Sequence, residues 1–123
     1  MKANFPSTAK NFQIPIYGGL VYLFRSEAVM NKALNYLNFE GNNDVVGGRC
    51  MQLKASDGAA LYLVGWYTKD FSTLVHECGH LAMYILERAG IDARHDSGEA
   101  YCYLIEELVR QCGIDKKPRV RRA

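Results

Sequence analysis

Apolar and polar positions along this chain follow two rhythms, one of period two and one of period near 3.6. The run Leu20-Val21-Tyr22-Leu23-Phe24 is rich in β-forming residues and predicts the first ordered strand. Ser26 then offers an N-cap with Glu27 in the first turn. Ala28, Met30, Ala33, Leu34 and Leu37 follow at helical spacing as far as Asn38, with Gly41 as the stop. Gly41-Asn42-Asn43-Asp44 reads as a loop. Val45 to Lys54 reads as a strand interrupted at Gly47-Gly48, and Leu61 to Tyr67 as its hairpin partner. The Ser56-Asp57-Gly58 step between them supplies the left-handed conformations of a tight turn.

A longer helix starts at a cap on Asp70 or Ser72, runs to about Ala89 and stops at Gly90. Its core stripe is Leu74, Val75, Cys78, Leu81, Ala82 and Ile85, which turns His76, Glu77, His80 and Met83 away from the interior. Residues 91–98 form a polar connection. The last helix runs from Ser97 or Gly98 to Gln111, with Tyr101, Leu104, Ile105 and Leu108 inward and Gly113 as its stop. Residues 1–13 read as a loose lead-in, and a strand over Ile14 to Tyr17 is broken by Pro15 and Gly18-Gly19. The predicted order is β-α-β-β-α-α, an α+β domain whose small antiparallel or mixed sheet packs on the helix 72–89 and on the C-terminal helix. Residues 1–115 make one domain without internal repeats.

Composition narrows the class. The chain has 123 residues, 49% of them hydrophobic, enough for one self-sufficient core. No apolar run approaches the roughly 18 residues of a membrane span, and the N-terminus lacks the apolar core of a signal peptide, so the expectation is a cytoplasmic protein without a membrane partner. Cys50, Cys78, Cys102 and Cys112 form no Cys-x-x-Cys pair and read as free, mostly buried thiols. The net charge of +2 is unevenly spread. Lys116, Lys117, Arg119, Arg121 and Arg122 carry +5, which leaves −3 on residues 1–115. Residues 116–123, with Pro118, therefore read as a disordered basic tail, first a solubility aid and second a weak contact for nucleic acid or another acidic surface.

The chemistry gathers in Leu74-Val75-His76-Glu77-Cys78-Gly79-His80, a His-Glu-x-x-His motif on a helix. Four residues apart, the two imidazoles stand on one face about 6 Å apart along the axis. That suits two corners of a zinc tetrahedron, with Glu77 on the flank as a base toward a metal-activated water. A catalytic zinc needs a third protein ligand, and His95, Asp96, Glu99 and Glu106 are the downstream candidates. The His-x-x-Gly-x-x-His extension is absent, because Met83 and Leu86 occupy its places, so a carboxylate is favoured. Glu99, 19 residues after His80 and at the head of the last helix, is the first choice. A straight antiparallel packing would instead bring Glu106 level with His80, which keeps the alternatives open.

His76-Glu77-Cys78-Gly79-His80 followed by Gly98-Glu99-Ala100-Tyr101-Cys102-Tyr103-Leu104 resembles the zincin metallopeptidases, specifically their minimal, gluzincin-like members. It is similar to the small metallopeptidase-like domains of phage and prophage regulators, over about residues 60–110. The resemblance implies a zinc held by His76, His80 and Glu99, Glu77 as general base, and hydrolysis of a peptide or protein substrate. It also implies a phage-type protein acting in a host cytoplasm, and an edge strand of the hairpin that pairs with extended substrates. Larger relatives carry a further His, Tyr or Arg that stabilises the oxyanion. No motif fixes that residue here, and His95, Tyr101 and Tyr103 are candidates, Tyr103 also as a residue supporting the ligands. The alternative reading is a non-catalytic, zinc-stabilised module or regulator that binds a protein partner.

Overall fold

A strand buried on both faces has to be covered twice, and strand β4 (Ala60–Trp66) is that strand here. The computed structural model describes residues 9–39, 47–55 and 57–113. Strands β1 (Lys10–Gln13) and β2 (Leu20–Phe24) precede helix α1 (Glu27–Tyr36); strand β3 (Gly48–Lys54) then leads to β4. Helices α2 (Phe71–Ala89) and α3 (Glu99–Gly113) complete the fold, joined by a link that ends in a single 3-10 turn, His95–Gly98. The sheet order is β1-β2-β4-β3. β4 lies parallel to β2 (Leu20 opposite Leu61) and antiparallel to β3 (Gly48 opposite Trp66), and β1 is antiparallel to β2. The class is α+β with a mixed four-stranded sheet.

The pleat sorts the side chains of β4 to two cores. Tyr62, Val64 and Trp66 join Leu74, Cys78, Leu81 and Ile85 of α2 and Leu104 and Leu108 of α3. On the opposite face, Leu61 and Leu63 meet Met30, Ala33 and Leu34 of α1, together with Phe24. Helices therefore cover both sides of the sheet. Leu81 is wholly buried in the first core, so Leu81→Ala is expected to cost about 2–5 kcal/mol, the usual range for deleting a core leucine. Urea unfolding measures it; a loss below about 1 kcal/mol would mean that this core is not the one stabilising the domain. Met83→Ala, on the exposed face of the same helix, should stay within about 0.5 kcal/mol.

Several expectations need correction. Residues 10–13 are not a loose lead-in but the edge strand β1, with Phe12 packed on the core. The residues read as strand breakers make its hairpin turn: Gly18 and Gly19 have positive φ, and the Ile14 and Gly19 backbones bond at 2.9 Å. α1 has its predicted cap, the Val29 N–H donating to Ser26 Oγ at 3.3 Å. It ends earlier than expected, because Asn38 adopts a left-handed φ of 68° and the Phe39 N–H returns to the Leu34 carbonyl. Gly41, the loop 41–44 and the start of the predicted strand at Val45 lie outside the described residues, as do Ser56 and the basic tail 116–123. The hairpin itself is present: Ala59 N–H donates to Asp57 Oδ1, and Gly58 takes φ 88°.

The stripe assigned to the active helix is rotated by part of a turn. Val75, expected inside, is 41% exposed, and Glu77, expected to face outward, is buried. The cause is the sheet: Glu77 lies over β3, where glycine leaves it room. Cys78 and Cys112 are buried, Cys50 is half-buried and Cys102 is exposed; all four are free thiols. No helix of the described residues is long and apolar enough to cross a membrane.

Candidate metal and catalytic site

Three fixtures set where α2 begins and ends. Arg25 stacks on Trp66, its guanidinium carbon 3.7 Å from the ring centroid, and donates to the Trp66 and Thr68 carbonyls. Trp66 Nε1 donates in turn to the Asp70 carbonyl, so the turn from β4 into the helix is clamped. Asp70 is the N-cap residue by backbone conformation, and Gly90 closes the helix in the left-handed region.

On this helix His76 and His80 are both exposed, with their rings edge to face. Their Nε2 atoms lie 3.2 Å apart. Two imidazole nitrogens bound to one tetrahedral zinc at 2.0–2.1 Å stand about 3.3 Å apart, so the pair already has the required separation. Glu77, 7% exposed, is the buried charged residue of the described chain. Burial raises its pKa, and the neighbouring His76 and His80 pull it back down.

The floor beneath Glu77 is Gly48 at the start of β3. A Cβ at that position would fall 2.8 Å from Glu77 Cγ and 2.8 Å from the Gly65 carbonyl oxygen. Glycine is thus what allows the carboxylate to lie against the strand. Gly47 is packed similarly against the Thr68 and Thr73 methyls, and the two threonine hydroxyls are bonded at 3.1 Å. Gly47, Gly48, Ser72, Thr73, His76 and Glu77 together line a cleft of about 600 Å³. Among the described residues β3 is an end strand of the sheet, so the cleft opens beside a strand edge that none of them pairs.

The four candidates for third ligand are placed differently. α3 runs back antiparallel along α2, with the Tyr101 hydroxyl donating to the Gly79 carbonyl at 3.4 Å and Gly113 against Phe71 and Leu74. The Tyr101–Gly79 contact brings the first turn of α3 to the turn of α2 just before His80. Glu99 is exposed at the head of α3. Glu106 is paired with Arg110 at 3.8 Å and lines a different cleft. His95 and Asp96 are exposed in the link, where Asp96 and Ser97 both hold left-handed φ. Among the described residues, no three His, Cys, Asp or Glu side chains are grouped to hold a metal; the two histidines converge, and Glu99 is not gathered to them.

Of the oxyanion candidates, Tyr101 is occupied by Gly79 and His95 is exposed in the link. Tyr103 is 68% exposed and lines a second cleft, about 610 Å³, that Pro15, Ile16 and Tyr17 form with α3. That cleft is lined by apolar residues together with Glu106, Glu107 and Arg110, and by no histidine or cysteine. Behind Glu77 lies a thiol cluster. A hydrogen bond with Cys112 and then burial push the Cys78 thiol up, and burial raises Cys50. The Cys78 and Cys50 thiols therefore stay protonated at neutral pH.

Gly48 was missed as a site residue. Its signal was present in the Gly47-Gly48 pair opening a strand, which marks a close backbone approach as readily as an interruption. Comparison with known proteins finds no match to a family model, a curated protein or a solved structure.

Proposed function

We propose that this protein is a zinc-dependent metallopeptidase or amidase of the zincin kind. The observation that carries the reading is the 3.2 Å separation of the His76 and His80 Nε2 atoms with a buried carboxylate, Glu77, on their flank. His76 and His80 would hold the metal, with Glu99 at the head of α3 as the third ligand. A zinc ion there supplies Lewis acidity, lowering the pKa of water toward 7 and polarising a carbonyl.

The chain's own residues do the rest. Glu77, kept off bulk water by Gly48 and β3, takes the proton from the attacking water and passes it to the leaving amine. Its raised pKa suits both halves of that task, because a base must also release the proton near neutral pH. Of the two hairpin strands, β3 has the open edge, so an extended substrate pairs there and passes His76 and Glu77. Four free thiols agree with a cytoplasmic setting.

Elemental analysis tests the metal. Wild-type protein is expected to hold one zinc per chain, Glu106→Ala to keep it, and His76→Ala and Glu99→Ala to lose it. Zinc-loaded protein should cleave members of a peptide library, stop with chelator and resume with zinc. Tight zinc with no cleavage would sink the enzymatic reading in favour of a zinc-stabilised interaction module.

A further inference from the structure

Two histidines and a carboxylate can attack a carbonyl, but they do not decide which side chain lies beside it. The wall of the cleft that precedes His76 carries one hydroxyl held by a chain of hydrogen bonds, that of Thr73. We propose that Thr73 is a specificity-determining residue: its hydroxyl donates to a neutral acceptor, the hydroxyl or carboxamide of a substrate side chain seated near the scissile bond. The proposal rests on the hydrolytic function proposed above.

The chain starts at Arg25, which donates to the Thr68 carbonyl at 2.8 Å and so holds Thr68 on the turn from β4 into α2. The Thr68 hydroxyl accepts the Asp70 N–H at 3.1 Å and donates to Thr73 Oγ1 at 3.1 Å. Thr73 is therefore the last member, and its own proton has no acceptor among the described residues. A hydroxyl that already accepts a bond is the stronger donor for it. Thr73 precedes His76 by three residues and Glu77 by four, so the three share a flank of α2. All three line the cleft with Gly47, Gly48 and Ser72. Thr73 Oγ1 lies 3.8 Å from where a Cβ on Gly47 would stand, which sets the hydroxyl at the stretch of wall that the glycine leaves bare. The chemistry of the wall selects the acceptor. No lysine or arginine lines the cleft to hold a carboxylate, and the Glu77 carboxylate repels one. An apolar side chain would take the Thr73 hydroxyl out of water and leave its proton unpaired, which costs free energy. A hydroxyl or carboxamide satisfies it without adding charge.

The test uses paired peptides and the full-length, zinc-loaded protein, with Asn set against Leu and Ser against Ala at each position flanking the cut. Wild type is expected to favour Asn and Ser at one position by about 2–12-fold in kcat/KM, the worth of one neutral hydrogen bond. Thr73→Val keeps the shape of the side chain without its hydroxyl and should erase that preference, with zinc content and melting temperature kept. Thr73→Ser restores the hydroxyl and should restore the preference. Calorimetry of uncut peptides on zinc-loaded Glu77→Gln protein should show the same ratio in Kd, and its loss when Thr73→Val is added. A wild type without preference, a preference that survives Thr73→Val, or one that Thr73→Ser fails to restore would overturn the proposal. Wild-type protein that takes zinc but cleaves no peptide refutes the hydrolytic reading and this proposal with it, a failure seen before any variant is made.

Discussion

Glu77→Gln is expected to lower turnover about 10²–10⁴-fold while zinc stays bound, and to make the metal-free protein more stable at neutral pH. Glutamine keeps the shape that fits over Gly48 but cannot take a proton from water, so chemistry is lost and the two histidines are untouched. The stability change has the opposite sign for a definite reason. Burial holds the folded pKa of Glu77 above the unfolded value of about 4.3, so the folded state binds more protons between those two pH values. Ionising the carboxylate therefore costs stability as pH rises from the unfolded pKa through the folded one. Above that window the cost is fully present, and below it the cost vanishes. Glutamine carries no charge at any pH, so the melting temperatures of the two metal-free proteins should differ by several degrees at pH 8 and converge toward pH 4. The neighbouring His76 and His80 act in the other sense, favouring the Glu77 carboxylate against the effect of burial. Equal melting temperatures at pH 8, or turnover within a few-fold of wild type, would contradict the assignment of Glu77 as a buried base.

The second large effect comes from outside the motif. Gly48→Ala places a methyl group 2.8 Å from both Glu77 Cγ and the Gly65 carbonyl oxygen, and 2.9 Å from Glu77 Oε2. The carbonyl belongs to the β3–β4 ladder and has little freedom to retreat, so Glu77 must move or the strand must shift. Overpacking of this kind costs about 1–3 kcal/mol, and the displaced carboxylate should remove most of the turnover with zinc still bound. Gly47→Ala is the control. Its methyl meets Thr68 Cγ2 at 2.9 Å, a side chain and not the sheet backbone or Glu77, so a milder loss of turnover is expected. Denaturant unfolding, zinc content and peptide turnover of both variants measure this. A Gly48→Ala protein with unimpaired turnover would mean that the carboxylate does not depend on the strand beneath it.

What sequence could reveal here was local. The His76, Glu77 and His80 spacing, the Ser26 cap, the Gly90 stop and the Asp57-Gly58 turn each depend on a few neighbouring residues, and each is present. Pairings between distant segments were illegible. β1 offers only Phe12 as an inward residue, too little to mark a strand, and its hairpin turn resembled a break. The parallel pairing of β2 with β4 and the placement of α1 on the far face arise from sheet order, which no periodicity encodes. The exchange of Val75 for Glu77 in the buried set has the same origin: helical spacing alone treats the two flanks of the stripe alike, and only the glycine of a neighbouring strand distinguishes them. Strictly antiparallel packing of straight helices would have raised Glu106 to the level of His80, whereas Tyr101, in the first turn of α3, already reaches Gly79.

Among the described residues the sheet stands between two clusters of buried side chains. Met30, Ala33 and Leu34 lie on one side, the histidine pair and Glu77 on the other. Sequence drift under α1 can thus alter how long a molecule survives in a cell without retuning its chemistry. An engineer gains the same latitude, since Lys32, exposed on α1, offers an anchoring point for a surface or a dye that leaves the face of the histidine pair unobstructed.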